Sequence, residues 1–305
     1  MSRITSVPPV LAIAGPTASG KSALALRLAQ EVGGEIVNAD ALQVYDGLQI
    51  LTARPTASDM ESIPHHLYGH IDPATRYSVG AWARDAVVVI REATTPVILV
   101  GGTGLYFKAL FEGLAEIPEP SAQGRAEAQA LLDLGVDDLR DCAEELDPVA
   151  TARVLGDDPQ RLLRIVSVAL GTAKPLSAWQ ADTRPLVTDW FGVVVETDRE
   201  SLYARIESRF DTMLARGGME EATAFATRDL PPDLPAAKAI GVAELTAAAR
   251  GELTSGEAIM LAKRNTRRLA KRQMTWFRNQ TSDWLRVAPT ASAQDMLTAL
   301  GQGRA

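Results

Sequence analysis

Gly15-Pro16-Thr17-Ala18-Ser19-Gly20-Lys21-Ser22 is the stretch that decides the fold. It fits the spacing G-x-x-x-x-G-K-[ST], with the apolar run Val10–Ala14 before it and a helical pattern over Lys21–Val32 after it. Glycines let the backbone curl until its N–H groups converge on phosphate oxygens. The helix N-terminus adds a favourable dipole. Lys21 supplies a point charge, and the Ser22 hydroxyl suits Mg²⁺. The loop therefore predicts a di- or triphosphate ligand with Mg²⁺, as in nucleotide-binding and ATP-binding proteins. By itself it specifies neither ATP nor phosphoryl transfer.

Outward from this loop, strand and helix signals alternate. Glu35–Asn38 reads as a second short strand, Val79–Glu92 as a helix, 96–100 as a third strand, and Trp190–Val195 as a fourth. Such alternation predicts an α/β fold, a P-loop NTPase-like parallel sheet core covered on both faces. Ligands of such sheets sit at the carboxyl ends of the strands, here after Ala14, Asn38 and Val100. The texture changes at the breaker Ile117-Pro118-Glu119-Pro120, after which only helical patterns occur up to Trp179. The expected organisation is a core over 1–118, an all-helical insertion domain over 119–190, and the rest of the core over 191–305. Asp158-Pro159 opens one insertion helix. Asp198 opens a helix reaching residue 216, and Thr254 with Glu257 forms a capping box before a long helix reaching about residue 278.

The chain of 305 residues has 31 Lys+Arg against 38 Asp+Glu, a net charge of −7. A protein that binds nucleic acid over its whole surface carries the opposite sign, so any such binding must be local. The cations are indeed concentrated. Residues 261–280 carry Lys263, Arg264, Arg267, Arg268, Lys271, Arg272 and Arg278 and no acid, so the remainder of the chain sums to −14. Their i, i+4 spacing predicts two adjacent stripes, Lys263/Arg267/Lys271 and Arg264/Arg268/Arg272. The single Cys142 allows no internal disulfide, and no apolar run is long enough to span a bilayer. A soluble cytoplasmic protein with no membrane association is expected.

Asp40, at the end of the second strand, lies beside the P-loop at the sheet's carboxyl edge. Read from position alone, it is a Mg²⁺-associated carboxylate of a small-molecule or nucleotide kinase, a helix cap, or a general base. His65, His66 and His70 lack the ligand geometry of a zinc site. Pro64-His65-His66 reads instead as a packing or positioning element. Trp276-Phe277 continues the stripe Ile259, Ala262, Thr266, Leu269, Gln273 and reads as core.

The P-loop is followed by Asn38-Ala39-Asp40-Ala41-Leu42-Gln43-Val44-Tyr45, by Pro64-His65-His66-Leu67 and by Gly101-Gly102-Thr103-Gly104-Leu105-Tyr106. Then come Asp158-Pro159-Gln160-Arg161-Leu162-Leu163-Arg164, Arg205-Ile206-Glu207-Ser208-Arg209-Phe210, Ala239-Ile240-Gly241 and the run from Arg268 to Arg278. In that order and spacing, over roughly residues 10–285, the chain resembles the tRNA dimethylallyltransferases. The resemblance implies transfer of a dimethylallyl group from dimethylallyl diphosphate to N6 of adenosine 37, in the anticodon stem-loop of tRNA. It implies a monomer using Mg²⁺.

In that family the P-loop holds the diphosphate of the prenyl donor, and no phosphoryl group moves. By resemblance Asp40 is the general base, Thr17 hydrogen-bonds the bridging oxygen, and Lys21, Arg209 and Mg²⁺ on Ser22 hold the diphosphate. Asp40, Ala41, Leu42, Gln43 and Thr103 match contacts to the target base. Gln160, Arg161, Leu162, Leu163 and Arg164 match tRNA-contacting segments, as do Ile240, Gly241, Val242 and Arg125. The sequence departs from the family's glycine-rich run at Leu51, and from its usual aromatic at Val242.

Overall fold

The structure, a computed structural model, describes residues 10–181, 183–292 and 294–296. Among these residues six strands form one parallel sheet: β1 (Val10–Ala14), β2 (Glu35–Asn38), β3 (His65–His66), β4 (Val97–Gly101), β5 (Trp190–Val195) and β6 (Leu285–Val287). Their spatial order is β3-β2-β4-β1-β5-β6. Val10 of β1 registers with Val97 on one side and Trp190 on the other, and Ala14 with Gly101 and Val194. From β1 the chain crosses β4's place to reach β2, while β5 takes the opposite side. The carboxyl end of β1 is thus a topological switch point, where a crevice opens in such sheets.

The continuous apolar runs follow from burial on both faces. Val10, Ala12, Ala14, Val37, Leu99 and Val194 face a large cluster containing Trp82, Tyr106, Phe107 and Phe277. The alternate residues Leu11, Ile13, Ile36, Ile98, Val100 and Val193 pack on Leu24, Ala25, Leu28 and Ala29 of the helix Lys21–Val32. Two strands escaped the sequence reading because they are short. β3 is the two histidines themselves, paired with Ile36 and Val37, and β6 is half-buried at the other edge. His66 Nε2 lies 2.7 Å from Glu35 Oε2, and His65 Nδ1 lies 2.8 Å from the Ile63 carbonyl.

Contacts divide the chain into two units, Met1–Phe111 with Val187–Ala305, and Glu112–Leu186. The helical unit therefore begins earlier than the Ile117–Pro120 breaker and ends before 190. Ile117 already packs on the helical core, and a Cβ on Gly113 would lie 2.2 Å from the Arg184 carbonyl oxygen, so the two ends of this unit run together. Val187 N–H donates to the Leu110 carbonyl at 3.0 Å, and Trp190 opens β5, so both belong to the sheet unit. Within the helical unit, the helix Pro159–Thr172 is capped by Asp158 and crosses Ala122–Leu134 with Gly124 against Gly171. Leu139, Ala143, Leu162, Ile165, Val166 and Val168 form its core.

Candidate active site

The crevice at the carboxyl edge of the sheet is a cavity of about 330 Å³. The turn from β1 into the helix Lys21–Val32 places Thr17, Ala18, Lys21 and Ser22 on its wall. Gly20 precedes that helix at φ 94°, a conformation open to glycine. Gly15, Pro16 and Ser19 form the back of the loop. A Cβ on Gly15 would meet the Val195 carbonyl at 2.9 Å, and the Pro16 carbonyl accepts the Ser19 N–H at 3.2 Å. Arg205 Nη1 reaches the Ser19 carbonyl at 3.4 Å.

Lys21 is buried, and its ammonium donates to the Pro16 carbonyl at 3.2 Å. Burial pulls its pKa down to about 8; Asp40 opposes that shift and Arg209 adds to it. Arg209 comes from the helix Arg199–Ala215 and lines the same cavity. Read without the family, it would be a surface ion pair; in the structure it has no carboxylate within ion-pair reach among the described residues. Desolvation lowers its pKa too, against the pull of Asp40. Two desolvated cations and one carboxylate therefore share one cavity, a site that favours an incoming anion.

Asp40 sits on a fixed platform. Buried Asn38 spends both ends of its amide on it: Oδ1 accepts the Asp40 N–H at 2.9 Å, and Nδ2 donates to the carbonyls of Asp40 and Leu67 at 3.0 Å. Trp82 Nε1 donates to the Asn38 carbonyl at 2.9 Å. Asp40 Oδ1 accepts the Leu42 N–H at 3.0 Å, leaving Oδ2 open among the described residues. Thr103 is also a support, because its Oγ1 accepts the Ala41 N–H at 2.9 Å. Gln43 is held with both amide hydrogens on the Thr52 and Ala53 carbonyls, at 2.8 and 3.0 Å. Only its Oε1 stays available, so it faces the site as an acceptor.

Much of the remaining wall is apolar: Leu51, Ile206, Phe210, Met213, Ile240 and Leu269. Leu51 occupies the position of the family's glycine without distorting the turn. Glu221 accepts the N–H groups of Gln49, Ile50 and Leu51 at 2.7–2.8 Å, and the Leu51 side chain lies against Gly218. Val242 is buried in the core, as is Leu162 in the helical unit, so neither offers a side chain to a macromolecule. Both were expected at the tRNA surface; each is an inward position of its helix. Gly241 starts the helix Val242–Ala249 at φ 91°, with its N–H on Glu244. In the helical unit, Gln160, Arg161 and Arg164 are exposed and Leu163 is half-buried. Arg161 pairs with Asp158 at 3.2 Å and Arg125 with Glu119 at 2.9 Å.

The two expected cationic stripes are not equivalent. Lys263 and Arg267 pair with Glu207 and Asp211 on the helix Arg199–Ala215. Arg264, Arg268, Lys271 and Arg272 on the helix Ser255–Gln280 remain exposed. Position within a charge run does not reveal which face meets a neighbouring helix. Phe277 is core, as read, and Trp276 covers Gly104. The residue missed from sequence is Gln273, which lines the cavity and bonds to both Thr17 and Gly102. Its one signal was a polar amide within a largely apolar stripe.

The site's donor set fits Mg²⁺. No group of three or more His, Cys, Asp or Glu able to hold a metal occurs among the described residues. Ser22 and Asp40 both reach the cavity. One or two oxygen ligands completed by substrate phosphates is how Mg²⁺ is usually held. No helix of the described residues is long and apolar enough to cross a membrane.

The chain matches the family described as IPP transferase over residues 43–280, and that described as isopentenyl transferase over residues 8–68. It is 54% identical over 299 residues to the tRNA dimethylallyltransferase of Maricaulis maris (strain MCS10), covering 96% of each chain. It is 49% identical to that of Caulobacter sp. (strain K31), covering 96% of this chain and 98% of the other. Among solved structures it resembles the tRNA isopentenylpyrophosphate transferase of Bacillus halodurans, with TM-score 0.67, 32% identity, and 97% and 95% of the two chains covered. It also resembles a eukaryotic dimethylallyltransferase acting on tRNA, with TM-score 0.76, 25% identity, and 92% and 74% covered.

Proposed function

The chain belongs to the tRNA dimethylallyltransferase family, and from that premise we propose that it transfers a dimethylallyl group from dimethylallyl diphosphate to N6 of adenosine 37 in tRNA. The kinase alternative gives way to this membership. In this reading the P-loop N–H groups, Lys21 and Arg209 hold the diphosphate, and the apolar wall of Leu51, Phe210 and Met213 receives the prenyl chain. Ser22 would hold Mg²⁺, which supplies charge neutralisation at the diphosphate when bound.

The adenine N6 is a weak nucleophile because its lone pair is delocalised into the ring. Its base must leave the stack to reach the cavity. As the N6–carbon bond forms, the allylic carbon–oxygen bond breaks and its electron pair leaves with diphosphate. The N6 proton passes to Asp40 Oδ2. The Thr17 hydroxyl donates to the bridging oxygen as charge develops there. Gln43 Oε1 accepts from the target base's amine, a choice that favours adenine over guanine at that edge. Gln160, Arg161, Leu163, Arg164, Ile240 and Arg125 engage the RNA around the anticodon stem-loop, with Leu162 and Val242 shaping their helices from inside. The enzyme works in the cytoplasm as a monomer, one chain supplying both base and cations.

The observation that carries this reading is a carboxylate with an open oxygen in the same cavity as two desolvated cations. Incubation with tRNA, Mg²⁺ and labelled dimethylallyl diphosphate should yield prenylated tRNA, and ATP should not substitute. Asp40→Asn should lower turnover by ~10²–10⁴-fold, the range for loss of a general base, with diphosphate binding retained. Near-normal turnover of that variant would overturn the role of Asp40.

A further inference from the structure

The helix Ser255–Gln280 brings two uncharged polar residues to the cavity beside the P-loop, Thr266, whose hydroxyl donates to the Ala262 carbonyl of its own helix at 2.8 Å, and Gln273. Gln273 Oε1 accepts the Thr17 N–H at 2.9 Å, and its Nε2 donates to the Gly102 carbonyl at 2.9 Å. The partners fix the amide's orientation, since a peptide N–H only donates and a carbonyl only accepts. Space is reserved for it: a Cβ on Gly102 would lie 2.3 Å from Nε2. The residue after Gly102 is Thr103, whose N–H donates to the Ala39 carbonyl at 3.2 Å and whose Oγ1 accepts the Ala41 N–H at 2.9 Å. Asp40 lies between those two anchors. A single side-chain amide thus links the loop bearing Thr17 to the Gly102–Thr103 turn, which in turn anchors the backbone on both sides of Asp40.

We infer that Gln273 is the positioning residue that holds Thr17, at the leaving group, in register with Asp40, at the nucleophile. The inference rests on the prenyl-transfer reading above. Gln273 takes no part in either bond that changes. It acts through two neighbours whose separation must match a transition state with one bond forming and one breaking along a line. A displacement of about 1 Å in such a site costs on the order of 10²-fold in rate. The amide spans the gap without bringing a charge beside Lys21 and Arg209. A glutamate in its place would set a carboxylate oxygen against the Gly102 carbonyl.

The test compares wild type with Gln273→Ala, Gln273→Glu, Gly102→Ala and the Gly102→Ala/Gln273→Ala pair, in full-length protein with tRNA and dimethylallyl diphosphate. Gln273→Ala should lower kcat by ~10–100-fold, with KM for tRNA within about threefold of wild type. Gly102→Ala meets first the end of the flexible Gln273 side chain, with the Gly15 carbonyl oxygen farther off at 3.3 Å; it should reproduce that loss, and the double variant should fall well short of the product of the two single losses. Gln273→Glu should be impaired at pH 8. Its rate relative to wild type should recover towards pH 5.5, because a protonated carboxyl again accepts from Thr17 and donates to Gly102. Taking the ratio at each pH cancels the titration of groups both proteins share. A residue that merely stabilised the fold would shift the melting temperature without this recovery. Full kcat in Gln273→Ala, additive losses in the double variant, or a flat ratio for Gln273→Glu would each overturn the inference. Absence of transfer by wild type would overturn the prenyl-transfer reading instead.

Discussion

The Lys21 ammonium lies 3.2 Å from the carbonyl of Pro16, a residue of its own loop, and burial brings its pKa down to about 8. The cation that should greet the diphosphate is therefore stored in a half-satisfied state. In the free protein it is mostly charged at pH 7 and mostly neutral at pH 9. Affinity for inorganic diphosphate should fall about tenfold over that interval, since one proton must be regained on binding. Titration calorimetry at the two pH values checks this. Lys21→Met should bind weakly at both and show less of the slope; equal wild-type affinity at pH 7 and 9 would contradict the assignment.

The same burial has a cost for stability. A lysine whose folded pKa lies below its unfolded value of 10.5 destabilises the fold wherever it is charged, here by about 3 kcal/mol at neutral pH. That penalty is full below pH 8 and is relieved as pH rises towards 10.5. Lys21→Met should therefore melt a few degrees above wild type at pH 7, with the gap closing by pH 10. A lower melting temperature at pH 7 would show that the Pro16 bond outweighs desolvation.

Glu221 gathers three backbone N–H groups, from Gln49, Ile50 and Leu51, at 2.7–2.8 Å. That turn carries Thr52 and Ala53, whose carbonyls fix Gln43. Glu221→Ala should cost about 2 kcal/mol in denaturant unfolding, the scale of charge-assisted bonds lost from partly buried groups. It should also raise KM for both substrates, because the loosened turn carries Leu51 on the prenyl wall as well as Thr52 and Ala53 behind Gln43. An unchanged KM for tRNA would refute the link through Gln43.

Ion pairing separates the two cationic stripes of the helix Ser255–Gln280 by function. Arg268→Glu with Arg272→Glu should weaken tRNA binding and flatten its dependence on salt by about two phosphate contacts. Lys263→Gln breaks the pairs with Glu207 and Asp211 and should lower the melting temperature with little change in the salt slope. Filter binding from 50 to 300 mM salt distinguishes them. A similar slope change for both would mean that the stripes act together.

How much of this was legible in the sequence depended on what each signal encoded. The P-loop was readable because backbone geometry and phosphate chemistry dictate residue types at fixed spacing. β1, β4 and β5 were readable because strands buried on both faces are apolar runs, and β2 because its Ile36-Val37 pair follows the Gly33-Gly34 helix stop. β3 and β6 were not, since two or three residues at a sheet edge carry no period. Asp40 could be placed beside the P-loop but given a role only through its family. Leu162 and Val242 lay inside motifs, yet a motif does not distinguish the residue that touches a ligand from the one that seats its helix. Gln273 was hidden because its partners are backbone atoms more than 170 residues away, which no local pattern records.

The polypeptide leaves the sheet unit at Phe111 and returns at Val187, where the Val187 N–H closes onto the Leu110 carbonyl. Exit and return share one doorway. Lengthening, shortening or replacing what lies between them leaves the sheet's own connectivity and register untouched. The helical unit is in that sense a cassette. A short glycine bridge from Phe111 to Val187 should leave a foldable core that keeps the cavity beside the P-loop, which would allow the sheet unit to be evolved or engineered apart from the helical one.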